Sequence, residues 1–240
     1  MMIGYIVIFI VFVVYITWKN ISGYQLLDYI NKLYPDSKSE YYSTNIEWCE
    51  NLRHNYKTIV KEYKDYISNN ELRSFKQIDN VQSSYDISDI PWKVLFLRAY
   101  NKDTSKIKHF PKTYNLISKI PGCTLAMFSV LPPGKHIPPH EGPYKGVLRY
   151  HLGLIVPEDY KKCSILVNGK QYNWKTGRDV LFDDTFIHSV TNDTDQTRVV
   201  LFLDIQRRFN NIFLDFLNSL VLYTSQFHKT TLDIVQKTDN

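Results

Sequence analysis

The residues of this chain whose types and placing could do chemistry are His140, His188 and Arg198. His140 follows Ile137-Pro138-Pro139 at the mouth of a strand-like run, and His188 ends the stretch Leu181-Phe182-Asp183-Asp184-Thr185-Phe186-Ile187. Neutral imidazoles suit Fe(II), and a site with open positions can also take a cosubstrate and O2. Arg198 heads the apolar run Val199–Leu203. A guanidinium facing a sheet interior needs an anion, because an unpaired buried charge is costly. A dicarboxylate such as 2-oxoglutarate would supply one and be gripped bidentately. Two imidazoles on different strands of a small barrel, with an arginine on the next strand, therefore describe a non-haem iron oxygenase. A plainer reading stands beside it: Arg198 could pair with Asp183, Asp184 or Asp204, and His151 could be a core histidine with its nitrogens satisfied.

Such residues must be carried by short strands. Runs at Val94–Leu97, Thr124–Leu131, Val147–Val156, Ser164–Val167, Gln171–Trp174, Val180–Phe182 and Arg198–Ile205 have strand character. Pro132-Pro133-Gly134, Asn168-Gly169 and Lys175-Thr176-Gly177 punctuate them. Asn-Gly between two such runs is a strong hairpin signal. Many short strands without intervening helices predict a mainly β fold, a jelly roll or cupin-like double sheet. Before it, residues 19–75 read as helical, with Trp48, Leu52, Tyr56, Ile59, Val60 and Tyr63 at helical spacing; residues 76–91 read as loop. After it, Ile212, Phe213, Phe216, Leu217 and Leu220 fall on one helical face, predicting a helix packed on the barrel by that face. Asp183-Asp184 reads as a turn, with Asp184 placed to orient His188, while His109 and His136 read as solvated loop residues.

The chain has 240 residues, 44% of them hydrophobic, with 18 Tyr and 13 Phe, enough to build a core. Its net charge of +5 is too mild for nucleic-acid binding. The three cysteines, Cys49, Cys123 and Cys163, form neither a zinc pattern nor a disulfide framework. Residues 1–18 carry no charged side chain, and Tyr15, Trp18 and Lys19 give them an interfacial end. At about 27 Å as a helix, they predict a single-pass N-terminal membrane anchor, with the side of the membrane weakly encoded.

The segments Ala126 to Gly134, His140-Glu141-Gly142-Pro143, Leu148 to Leu154 and Phe182 to His188, followed by Arg198, resemble the aspartyl/asparaginyl β-hydroxylase family over roughly residues 92–206. The resemblance implies a double-stranded β-helix with Fe(II), 2-oxoglutarate and O2. It implies His140 and His188 as metal ligands and Arg198 with Ser129 as the grip on the distal carboxylate of 2-oxoglutarate. It also implies Arg149 and His151 as completing the cosubstrate and substrate pocket. The family has glycine where the usual facial triad places a carboxylate, as Gly142 does here, so a methyl at 142 is expected to leave iron binding intact. Glu141 is not expected to replace that carboxylate, since neighbouring strand residues face opposite ways. The implied reaction is hydroxylation of an unactivated C–H bond, foremost the β-carbon of a peptidyl Asp or Asn. Bacterial hydroxylases of lipid A acyl chains resemble the chain over more of its length, through Leu148 to Leu154, Tyr172-Asn173-Trp174 and Asn192 to Asp195, but keep an aspartate where Gly142 stands; they make a membrane lipid acyl chain the alternative. A catalytically silent jelly-roll binding module is the third reading. The expected organisation is an anchor at 1–18, a helical lead-in and loop at 19–91, the dioxygenase unit at 92–206, and a C-terminal helix and tail at 207–240.

Overall fold

The computed structural model describes residues 23–79, 83, 84, 86 and 88–239. Its strands are antiparallel throughout: β1 (Tyr41–Tyr42), β2 (Arg73–Ser74), β3 (Lys93–Ala99), β4 (Lys102–Asp103), β5 (Cys123–Leu131), β6 (His136–His140), β7 (Val147–Ile155), β8 (Cys163–Val167), β9 (Lys170–Asn173), β10 (Asp179–Phe182), β11 (His188–Asn192) and β12 (Arg198–Gln206). The larger sheet runs β1-β10-β7-β12-β5-β3-β2 with β4 on β3, and the smaller runs β6-β11-β8-β9. From β5 onward the chain passes back and forth between the two sheets, which is the jelly-roll layout.

Period-two alternation explains why the strands of the larger sheet read as continuous apolar runs. In β12, Val200 and Phe202 enter the core between the sheets, whereas Val199, Leu201, Leu203 and Ile205 enter a second core on the outer face. Helices α2 (Glu47–His54) and α3 (Tyr56–Ile67) close that outer core with Leu52, Ile59 and Tyr63, joined by Ile117 of α5 (Pro111–Ile117). A sheet buried on both faces has no polar side to show. The β8–β9 hairpin turns at Asn168 and Gly169 with φ of 47° and 78°, the paired positive values of a type I′ turn.

The remaining helices are α1 (Gly23–Asn31), α4 (Phe75–Ile78), α6 (Ile212–Ser225) and α7 (Lys229–Asp239). The α6 helix differs from expectation in its rotation. Its buried face carries Asn218, Val221 and Leu222, and the stripe of Ile212, Phe213, Phe216 and Leu220 is exposed. Asn218 fixes this orientation: its amide donates to the carbonyls of Gly146 (2.8 Å) and Arg207 (3.0 Å), and its oxygen accepts from the Tyr144 hydroxyl (2.7 Å). Turning the apolar stripe inward would leave those carbonyls without partners.

Among the described residues no helix is long and apolar enough to cross a membrane. The longest, α6, has 14 residues, about 21 Å against the roughly 30 Å of a hydrocarbon core. The expectation of a single-pass membrane protein is corrected on that finding, and residues 1–18, on which it was placed, lie outside the described residues.

A buried ion pair ties the end of β12 to the turn that leads toward His188. The wholly buried carboxylate of Asp183 binds the Arg207 guanidinium and accepts from the Thr185 backbone N–H (3.0 Å) and hydroxyl (2.7 Å). Burial opposes ionisation of Asp183, but Ser37, Arg207 and Thr185 together hold its pKa below the ordinary carboxylate value. A depressed folded pKa contributes stability above the unfolded value of about 3.9, and that contribution is lost as pH falls through the folded value. Asp183→Asn is therefore expected to cost about 3–5 kcal/mol at pH 7 by leaving Arg207 buried and unpaired. Urea unfolding should show this gap, and the gap should close in acid.

Candidate active site

Strands β6 and β11 are absent from the runs read as strands, although the two histidines were placed on strands, and they carry both. Pro138 and Pro139 are tolerated in β6 because it is the edge of the smaller sheet. There His140 is the direct cross-strand partner of His188, and the two ring centroids lie 4.1 Å apart. Each ring is anchored through Nδ1, that of His140 at 2.9 Å from the Pro138 carbonyl and that of His188 at 2.9 Å from the Phe186 carbonyl. Such a hydrogen bond fixes the tautomer and makes Nε2 the nitrogen suited to a metal. Burial, reinforced by His188 and Arg149, pushes the His140 pKa down to about 3. Burial and Arg149 push that of His188 down to about 4. Both rings are neutral at pH 7, the form that ligates.

Ser129 on β5, Arg149 and His151 on β7 and Arg198 on β12 line one small cavity together with His140 and His188. Arg198 is 2% exposed, and no carboxylate is within ion-pair distance of it among the described residues. Its guanidinium lies 4.5 Å from the centre of the Trp174 ring, and its Nε has no hydrogen-bond partner. Burial lowers its pKa to about 10. Ser129 Oγ accepts from Trp92 Nε1 at 2.9 Å and keeps its own proton to donate. His151 is buried among the rings of Phe202 (4.7 Å), Phe182 (5.1 Å) and Trp174 (5.9 Å) with neither ring nitrogen hydrogen-bonded, so it is not a satisfied core histidine. Its burial favours the neutral ring.

The three aspartates offered as partners for Arg198 are engaged elsewhere. Asp183 holds Arg207. Arg149 is held from two sides, by Asp184 at 2.7 Å and Asp204 at 3.0 Å, and stacks over Phe202 at 4.4 Å. Burial raises the pKa of both aspartates against the pull of Arg149. Asp184 meets His188 through its backbone, beside the Phe186 carbonyl, while its side chain holds Arg149. Asp204 was offered only as a partner for Arg198; the alternation of β12 puts Arg198, Val200, Phe202 and Asp204 on one face, but its carboxylate holds Arg149 instead. His136 pairs with Asp193 at the surface (2.6 Å), His109 is exposed beside Tyr66, and Glu141 is exposed outside the cavity lining.

A second, mostly apolar cavity of about 130 Å³ lies beside the first. Trp92, Arg149 and Phe202 line both. From there its wall continues through Phe96 and Met127 to Val221 and Leu222 of α6 and Ile234 of α7.

Gly142 accounts for the missing carboxylate in space. A Cβ at this position would lie 2.0 Å from Asp184 Oδ2 and 2.3 Å from its Cγ, so the Asp184 carboxyl fills the room a side chain would need. The Gly142 N–H also donates to the Asp184 carbonyl at 2.7 Å. Among the described residues, no group of three or more His, Cys, Asp or Glu side chains is arranged to hold a metal ion. Gly142→Ala is thus not silent: it is expected to displace Asp184 from Arg149 and to cost about 1–3 kcal/mol. Thermal unfolding and 2-oxoglutarate turnover of that variant check this, and metal titration should find the two imidazoles still binding.

The profile of the family described as Aspartyl/Asparaginyl beta-hydroxylase matches residues 53–208. An ornithine lipid ester-linked acyl 2-hydroxylase of Rhizobium tropici is 42% identical over 68% of this chain and 59% of its own length. The aspartyl/asparaginyl beta-hydroxylase of Homo sapiens is 34% identical over 43% of this chain, which spans 14% of that protein. A crystal structure of a Pseudomonas putida prolyl-4-hydroxylase superposes with a TM-score of 0.44 at 14% identity, covering 65% of this chain and 88% of that one. With its profile matched from the first outer helices to the end of β12, the chain belongs to the aspartyl/asparaginyl β-hydroxylase family.

Proposed function

We propose that this chain is an Fe(II)- and 2-oxoglutarate-dependent hydroxylase acting on the acyl chain of a polar lipid. The residues fit the cofactors. Two neutral imidazoles on neighbouring strands suit Fe(II), and the buried, carboxylate-free Arg198 with the Ser129 hydroxyl suits the distal carboxylate of 2-oxoglutarate. His151, with both nitrogens unpartnered at the same cavity, is placed to hydrogen-bond the cosubstrate. With the metal bound, the chemistry supplied is insertion of one oxygen atom of O2 into a C–H bond, while 2-oxoglutarate becomes succinate and CO2. Residues 92–206 form the catalytic unit. The aromatic walls around it, Trp92, Phe182 and Phe202, exclude water from the reacting carbon.

The observation that carries the choice of substrate is the apolar cavity that shares Trp92, Arg149 and Phe202 with the histidine cavity as a common wall. It offers room and solvation to a hydrocarbon chain whose reacting end reaches the metal side of Arg149. A peptidyl aspartate would need a cation for its carboxylate, and Arg149 is already held between Asp184 and Asp204. The Rhizobium relative, by its name, acts on a lipid acyl chain. Mass spectrometry of lipids and of peptides from cells expressing the chain tests this. A gain of one oxygen on acyl chains is expected, absent from the His188→Ala variant. Hydroxylated Asp or Asn peptides with unmodified lipids would restore the peptide reading, and absence of any Fe(II)-dependent succinate formation would restore the binding module.

A further inference from the structure

The cavity wall formed by α6 has an outer side. Ile212, Phe213, Phe216, Leu220 and Tyr223 are 46–91% exposed and at 100° per residue fall within an arc of about 100°. Val221 and Leu222, on the opposite side of the same helix, line the apolar cavity. Exposed Arg208 and Lys229 flank the helix, and the only acidic side chain between them, Asp215, accepts a hydrogen bond from the Phe209 N–H at 2.8 Å. An exposed apolar arc with basic ends, on a helix whose other side packs against the protein, suits a lipid–water interface. Its cations complement an anionic headgroup layer. We propose that the outer face of α6 docks this protein flat on an anionic lipid surface, so that an acyl chain passes around or beneath the helix into the cavity its inner face lines. The occupant follows from the charge at the helix ends and from the continuity of outer face and cavity through a single helix. The purpose of the docking rests on the lipid reading given above.

The native cysteines are all buried, so a Phe216→Cys variant of the full chain can be labelled selectively with an environment-sensitive fluorophore. Leu166→Cys, on the exposed side of β8, is the control. Vesicles of phosphatidylcholine with roughly one third phosphatidylglycerol should blue-shift the label at 216 and make it quenchable by brominated acyl chains. The label at 166 should not respond, and pure phosphatidylcholine should weaken the response at 216 about tenfold or more, since two cations lose their counterpart. No response at 216, an equal response at both positions, or a response to protein concentration without vesicles would overturn the proposal, the last by identifying a second copy of the chain as the occupant. Hydroxylation of detergent-dispersed lipid is measured in parallel. Acyl hydroxylation with a silent 216 label removes the docking and keeps the substrate; insertion at 216 with unmodified acyl chains keeps the docking and removes the substrate.

Discussion

Replacing His188 with alanine is expected to abolish turnover, and replacing His140 should do the same. The two rings are cross-strand partners 4.1 Å apart, each tethered through Nδ1 to a backbone carbonyl. With glycine at 142 and the Asp184 carboxyl drawn to Arg149, the proposed metal has two protein ligands rather than three. Loss of one therefore removes half of the protein's contribution to binding. Removing a mere supporting partner of a ligand already costs 10–100-fold in metal affinity, so an affinity loss of at least about 100-fold follows for either ligand. Titration with Co(II) or Fe(II) under anaerobic conditions measures it directly. His151→Ala supplies the contrast, because His151 lines the same cavity but sits on β7. That variant should keep its metal and lose cosubstrate turnover. Metal lost from His151→Ala and retained by His188→Ala would invert the assignment.

What was legible in the sequence divides along physical lines. The longer strands of the larger sheet announced themselves because burial on two faces demands unbroken apolar runs, as in β5 and β12, whereas the two-residue β1, β2 and β4 did not. Strands β6 and β11 stayed silent. One is proline-bearing because an edge spares its amides, and the other alternates His188, Val190 and Asn192 inward with Ser189 and Thr191 half-exposed. The six candidate site residues were named from spacing and motifs, whereas the ion pairs beside them were not. Arg149 between Asp184 and Asp204 joins β7, the turn after β10 and β12, and nothing local in sequence marks contacts of that separation. The rotation of α6 was misread for a related reason. Its apolar stripe satisfied the usual inward rule, but Asn218, with three hydrogen bonds to make, decided which face is buried.

Arg198→Met is expected to move stability and activity in opposite directions. In the absence of an anion, Arg198 is a charge 2% exposed with an aromatic ring for company and no carboxylate. Its pKa falls from 12.5 to about 10, which at neutral pH corresponds to destabilisation of the fold on the order of 3 kcal/mol. The sign follows from linkage: a base whose folded pKa is depressed penalises the fold in full below the folded value, and the penalty fades as pH rises from the folded value toward the unfolded one. Methionine fills similar volume without the charge, so the variant should be more stable than the wild type by about 1–3 kcal/mol when no 2-oxoglutarate is present. That advantage should hold up to about pH 10 and narrow only above it. Adding 2-oxoglutarate with a divalent metal reverses the order, since the wild type gains by mass action and the variant has nothing to grip. Truncating one partner of a buried charge pair costs roughly 2–5 kcal/mol, so half-saturation by 2-oxoglutarate should rise by at least about 30-fold. Thermal melts of both proteins with and without the cosubstrate, alongside succinate formation, test each part. A variant less stable than the wild type in the absence of cosubstrate, yet unchanged in its response to 2-oxoglutarate, would mean that Arg198 is a packing residue and that the distal carboxylate is held elsewhere.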